Sequence, residues 1–135
     1  MKVQWILVAN ASVARLFRRD SPTDPLIPLT TMEHPESRLK ASQLADDRYE
    51  PRIDVRRKEH QRFAREIAER LDAGLAAGEF SALWLFASSP FLGELKAQLS
   101  DAVDKRVQLA LNSDLTALGL TDIEQRLRDS RLAKT

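Results

Sequence analysis

The stretch Arg56–Ala77, RRKEHQRFAREIAERLDAGLAA, decides how the rest of the chain is read. Phe63, Ile67, Leu71 and Leu75 recur at every fourth residue, with Ala64 and Ala68 beside them. Residues four apart lie one above another on a helix, so this spacing draws a single apolar stripe. Arg57, Lys58, Arg62, Arg65, Glu66, Glu69 and Arg70 fill the rest of the cylinder. A helix with one apolar stripe needs a surface to cover, and the flanking sequence supplies strands.

Upstream, Val3–Ala9 is continuously apolar apart from Gln4. A short run of β-formers of this kind predicts a strand covered on both faces. Asn10-Ala11-Ser12 can turn the chain, and Val13–Arg18 then alternates, which predicts a hairpin. A second turn at 20–25 leads into a third strand, Leu26–Glu33. Pro28 removes one ladder donor from it and so places it at a sheet edge. Downstream, Gly74 and Gly78 are expected to loosen and stop the helix. ALWLFA, Ala82–Ala87, predicts another doubly covered strand. Ser89 and Pro90 have the chemistry of a cap and a first helical turn, ahead of a helix lined by Leu92, Leu95 and Leu99. Arg106–Leu111 predicts a last strand with Val107, Leu109 and Leu111 on one face. Thr121 and Glu124 have capping-box spacing before a terminal helix buried through Ile123 and Leu127.

The order βββ-α-β-α-β-α predicts an α/β fold with a five-stranded mixed sheet and helices on both faces. Right-handed crossovers put strand 82–87 beside the first strand and strand 106–111 outside it. That is a ribonuclease H-like strand order. The expected core is Trp5, Leu7, Phe63, Ile67, Leu83, Leu85 and Phe91.

Composition narrows the function classes. A chain of 135 residues suits one domain, 1–135, with one core. A net charge of +1 gives no global pull toward nucleic acid or anionic membrane, so any electrostatic steering is local. There is no cysteine, which excludes disulfides, thiol nucleophiles and Cys-based metal sites. No segment has the length and apolarity of a membrane span or the layout of a signal peptide. The expectation is a cytoplasmic protein.

His34–Val55 breaks the pattern. It has no helical or strand period, two prolines, no glycine and charges of both signs. An irregular segment of this length between packed elements is where function is expected. It carries Gln43 and the carboxylates Asp46, Asp47, Glu50 and Asp54. Carboxylate pairs can bind magnesium or serve as acid and base. Here they read as solvated loop charges, because neither central strand carries an Asp or Glu to complete a two-metal site. His34 and His60 are the only histidines and lack the spacing of a zinc site. No cofactor or metal is implied. Arg52, Arg56, Arg57, Lys58, Arg62 and Arg65 form a basic strip from the loop exit onto the helix. Helix positions three and four apart share a face, so Arg62 and Arg65 can reach one phosphate backbone. Glu59, Glu66 and Glu69 offer the competing role of paired, solvated surface. The strip has no aromatic platform beyond Tyr49 for base stacking.

VQWILVANASVARLF, FAREIAERLDAG, LWLFASSPFLGELKAQL and the Leu115-Thr116 pair together resemble the bacterial host-attachment protein family. The resemblance covers nearly the whole chain. That family is in turn similar to the middle domain of archaeal and eukaryotic peptide-chain release factors. There a Gly-Gly-Gln loop aids hydrolysis of peptidyl-tRNA. The corresponding loop here, about 34–55, lacks glycine, and matching the helices sets Asp46-Asp47 near the glutamine position rather than Gln43. The resemblance implies a non-enzymatic domain that binds RNA, most directly on the ribosome. It leaves a protein–protein adaptor that regulates attachment as the alternative, and a peptidyl-tRNA release activity as the weakest one.

Overall fold

The structure, a computed structural model, describes residues 3–21, 23–34 and 51–134. Of 51–56 and 131–134 it describes the backbone alone. The elements are β1 (Gln4–Ala9), β2 (Val13–Arg19), β3 (Ile27–Glu33), α1 (Pro51–Ala76), β4 (Ala82–Ala87), α2 (Phe91–Gln98), α3 (Asp101–Asp104), β5 (Val107–Asn112) and α4 (Leu120–Lys134). They build one five-stranded sheet in the order β3-β2-β1-β4-β5. β1, β4 and β5 run parallel, while β2 and β3 are antiparallel additions. The mixed sheet and its strand order are those the sequence predicts.

The apolar runs are buried on both faces because each sheet face has its own helical cover. On one face α1, α2 and α3 close over Trp5, Leu7, Leu83 and Leu85, with Phe63, Ile67, Leu71, Phe91, Leu95 and Val103 from the helices. On the other, α4 brings Ile123 and Leu127 onto Ile6, Val8, Trp84 and Phe86. Successive strand residues point to opposite faces. The runs therefore have to be apolar throughout. All seven expected core residues are buried. β3 is the edge that Pro28 requires, and the β2–β3 register shifts between Leu16 and Phe17, where Pro28 pairs.

Several local expectations are corrected. The helix begins at Pro51, so 51–55 is helical rather than the last part of a loop. Proline suits a first helical turn, where its missing N–H loses nothing. Residues 35–50 lie outside the described residues. Ser89 does not cap α2: its N–H donates to Asn112 Oδ1 at 3.0 Å, and Leu92 N–H bonds the Ser88 carbonyl at 2.9 Å. The flanking residue is Pro90, without a side-chain cap. Thr121 and Glu124 form no capping box, because α4 already starts at Leu120. Glu124 Oε2 instead accepts from Leu26 N–H at 2.9 Å and pins the β2–β3 connection. β5 does not keep Val107 and Leu109 on one face. Its register against β4 shifts by one residue there, so Val107 packs toward α1 and Leu109 toward α4.

Gly74 has a different role from the one expected. It is buried within α1, and a Cβ built there would lie 2.3 Å from Trp5 Cη2. The indole is 1% exposed and stacks on Phe80 at 4.5 Å between centroids, so it has little room to move. The glycine lets the helix backbone rest on the Trp5 ring. Gly74→Ala is expected to destabilise the protein by about 1–3 kcal/mol through overpacking, despite alanine's better helix propensity. A raised melting temperature for that variant would contradict this packing. Gly78, at φ +73°, ends the helix in the left-handed conformation that glycine adopts most easily.

Candidate functional site

In an open sheet, clefts form beyond the carboxyl ends of parallel strands where onward connections diverge. Here that point lies between β1 and β4. The chain leaves β1 toward β2 on one side and β4 toward β5 on the other. The residues that follow these strands are polar and tied together. Asn10 Oδ1 accepts from Ser12 and Val13 N–H at 2.8 and 3.0 Å, shaping the hairpin turn. Asn10 Nδ2 donates to Asp114 Oδ2 and Thr116 Oγ1, both at 3.1 Å. Arg15 Nη1 donates to the carbonyls of Thr116 and Leu118 at 3.0 and 2.7 Å. Partial burial would raise the Asp114 pKa, but hydrogen bonds from the Thr116 hydroxyl and N–H and from Asn10 outweigh it. The carboxyl is therefore held below its ordinary value.

The same end of the sheet holds the last described residue before segment 35–50. His34 N–H bonds the Ser12 carbonyl at 2.9 Å. The His34 ring is buried and its Nε2 lies 2.9 Å from Glu59 Oε1, on α1. The other Glu59 oxygen faces Arg62 Nη1 at 3.6 Å. His34 stacks on Phe63 at 5.1 Å, Phe63 on Phe91 at 5.7 Å, and His60 meets Phe91 edge-on at 6.2 Å. An aromatic row thus joins the end of β3, the N-terminal half of α1 and the start of α2.

Of the predicted basic strip, Lys58, Arg62 and Arg65 come together. With Glu69 they follow the spacing i, i+4, i+7, i+11, which is one face of α1, opposite the Phe63–Ile67–Leu71 stripe. All four are exposed. Arg57 is 70% exposed and lies off that face, with its Nε 3.7 Å from Glu94 of α2. Arg62 is 61% exposed. Arg65 makes no ion pair among the described residues. Arg52 and Arg56 lie on the α1 backbone, and their side chains are outside the described residues, as are Gln43, Asp46, Asp47 and Tyr49. Among the described residues no three His, Asp or Glu side chains converge as a metal site would require.

Sequence reasoning missed the His34–Glu59 pair, although a signal for it was present. Glu59 stands four before Phe63 on the line that continues to Ile67 and Leu71, so the stripe itself places it on the buried side. The Asn10–Asp114–Thr116 cluster left no such signal, because Asn10 stands more than a hundred positions from the other two.

These features define a small α/β domain with two helical layers, a polar crown at the carboxyl edge and a cationic helix face beside it. The chain belongs to the family described as "Protein required for attachment to host cells", which matches over residues 5–127. Among solved structures it is similar to an archaeal translation termination factor, aRF1. That TM-score is 0.55 at 13% identity, over 98% of this chain and 39% of that one. A protein described only as archaeal superposes with a TM-score of 0.49 at 11% identity, over 98% and 38% of the two chains. The chain therefore spans about two-fifths of the termination factor's length, and the likeness is one of fold. No curated protein matches it. Among the described residues no helix is long and apolar enough to cross a membrane.

Proposed function

We propose that this domain is a non-enzymatic, cytoplasmic RNA-binding module that docks on the ribosome or other structured RNA through the Lys58–Arg62–Arg65 face of α1. The observation that carries this reading is the exposure of three cations along one helical line, opposite the buried stripe. Phosphates attract such a line at long range, and binding gains from the counterions released. The α1–sheet packing beneath fixes the helix backbone that carries these cations. The fold shared with the termination factor agrees with an RNA-facing role.

The test is the double variant Arg62→Gln/Arg65→Gln. Glutamine keeps helix propensity while removing two charges. Affinity for ribosomes and structured RNA should fall alike across sequences, because phosphate contacts carry no base information. The log–log salt slope should flatten by about 1.4–1.8, from the loss of two phosphate contacts. The melting temperature should shift little, since both side chains are exposed. Unchanged affinity with an unchanged slope would remove the RNA reading and leave the helix face as a surface for a protein partner.

A further inference from the structure

The exposed face of α1 changes sign along its length. The line through Lys58, Arg62 and Arg65 continues through Glu69, Asp72 and Ala76, and all six are exposed. Arg62 keeps 61% of its side chain exposed despite its contact with Glu59. Neither Arg65 nor Glu69 has an ion-pair partner among the described residues. Glu66, also exposed, lies one turn after Arg62 at the margin of the line. From Lys58 to Arg65 the cations cover about 10 Å of helix axis. Beyond them Glu69 and Asp72 repel any phosphate that would follow the line further. A double helix sets one phosphate on each strand about every 3 Å of its axis, so about three phosphates of one strand fall within the cationic length.

The aromatic side chains point to the form of the nucleic acid. Every Trp and Phe of the chain is buried, none more than 6% exposed. The remaining aromatic, Tyr49, lies outside the described residues. Proteins that hold single strands stack successive bases on exposed rings. Among the described residues, α1 and its surroundings offer charge and no ring. A single strand held by charge alone also has to give up its chain freedom on the protein, whereas a duplex brings its phosphates already ordered. We infer, given an RNA-binding role for this face, that its ligand is the phosphate backbone of one strand of an RNA double helix. Lys58, Arg62 and Arg65 hold it, and Glu69 ends the contact. The bases stay paired and unread, as in other recognition of double-stranded RNA by shape and backbone.

Fluorescence anisotropy of the full chain with a labelled, blunt-ended RNA duplex of mixed sequence and with oligouridylate of the same strand length tests this. The duplex should bind about tenfold more tightly or better, since nothing stacks on the single strand's bases. A second duplex of unrelated sequence should bind alike. Glu69→Arg adds a fourth cation to the line. It should tighten duplex binding several-fold and steepen the log–log salt slope by about 0.9. Tyr49→Ala should leave duplex binding unchanged. The melting temperature of Glu69→Arg should stay close to the parent's, since the position is exposed. Oligouridylate that binds as tightly as the duplex, with both weakened by Arg62→Gln/Arg65→Gln, overturns the duplex assignment and leaves the RNA-binding role standing. Unchanged affinity and slope in Glu69→Arg overturn the boundary at Glu69. Loss of duplex binding in Tyr49→Ala shows a stacking ring and overturns the assignment too. Duplex binding indifferent to Arg62→Gln/Arg65→Gln, or no binding of either RNA, removes the RNA-binding role itself and the duplex assignment with it.

Discussion

Replacing Ile67 with alanine is expected to cost about 2–5 kcal/mol of stability, the range for a fully buried aliphatic side chain whose site cannot collapse. Ile67 is 1% exposed and is clamped between α1 and the sheet, in one cluster with Trp5, Leu7, Leu83 and Leu85. The sheet supplies the floor of that cluster and α2 its side wall through Phe91 and Leu95, so neighbouring groups have no free direction in which to close the gap. The loss is a large fraction of the ~5–15 kcal/mol that holds a domain of this kind together. Urea titration should show a lower midpoint with an unchanged slope, because the folded and unfolded surfaces are otherwise the same. A midpoint equal to the parent's would mean that α1 does not lie on the sheet as described.

His34→Ala is expected to cost about 3 kcal/mol, for a different reason. The histidine and Glu59 side chains are 3% and 6% exposed and 2.9 Å apart. Without the imidazole, Glu59 keeps only the longer contact with Arg62, and its inner oxygen loses its partner in a buried setting. Leaving a buried polar group unpaired costs more than the pair contributes. The stacking of His34 on Phe63 is lost as well. A double-mutant cycle with Glu59→Ala separates the two losses. Its coupling energy should exceed the ~0.2–1 kcal/mol found for exposed pairs. A coupling near zero would show that the His34–Glu59 contact adds little to stability. Glu59→Gln should be milder than Glu59→Ala, since the amide can still bond the ring nitrogen. The pair ties the end of β3 to α1, so both variants loosen that junction.

The sequence by itself determined the sheet. Two doubly apolar runs, an alternating hairpin, a proline-bearing edge strand and one four-residue stripe admit few arrangements once crossovers must be right-handed. The core residues followed from the same periodicities, since an apolar stripe and an apolar strand can each be buried only against the other. The basic face of α1 was legible for the converse reason, as the positions left over when the buried line is drawn. Tertiary structure decided the rest, wherever a residue's role depends on a partner that is distant in the chain. Gly74 reads as a helix breaker, yet it is the seat of Trp5, some seventy positions earlier. Glu124 reads as a capping residue, yet a distant N–H, that of Leu26, claims its carboxylate. The facing of β5 turned on a one-residue shift against β4, which strand alternation alone cannot contain. The pairing of His34 with Glu59 and the gathering of Asn10, Asp114 and Thr116 needed the strands to end side by side. Local pattern records what each segment buries. Only the closed fold brings together the polar groups that sequence keeps apart.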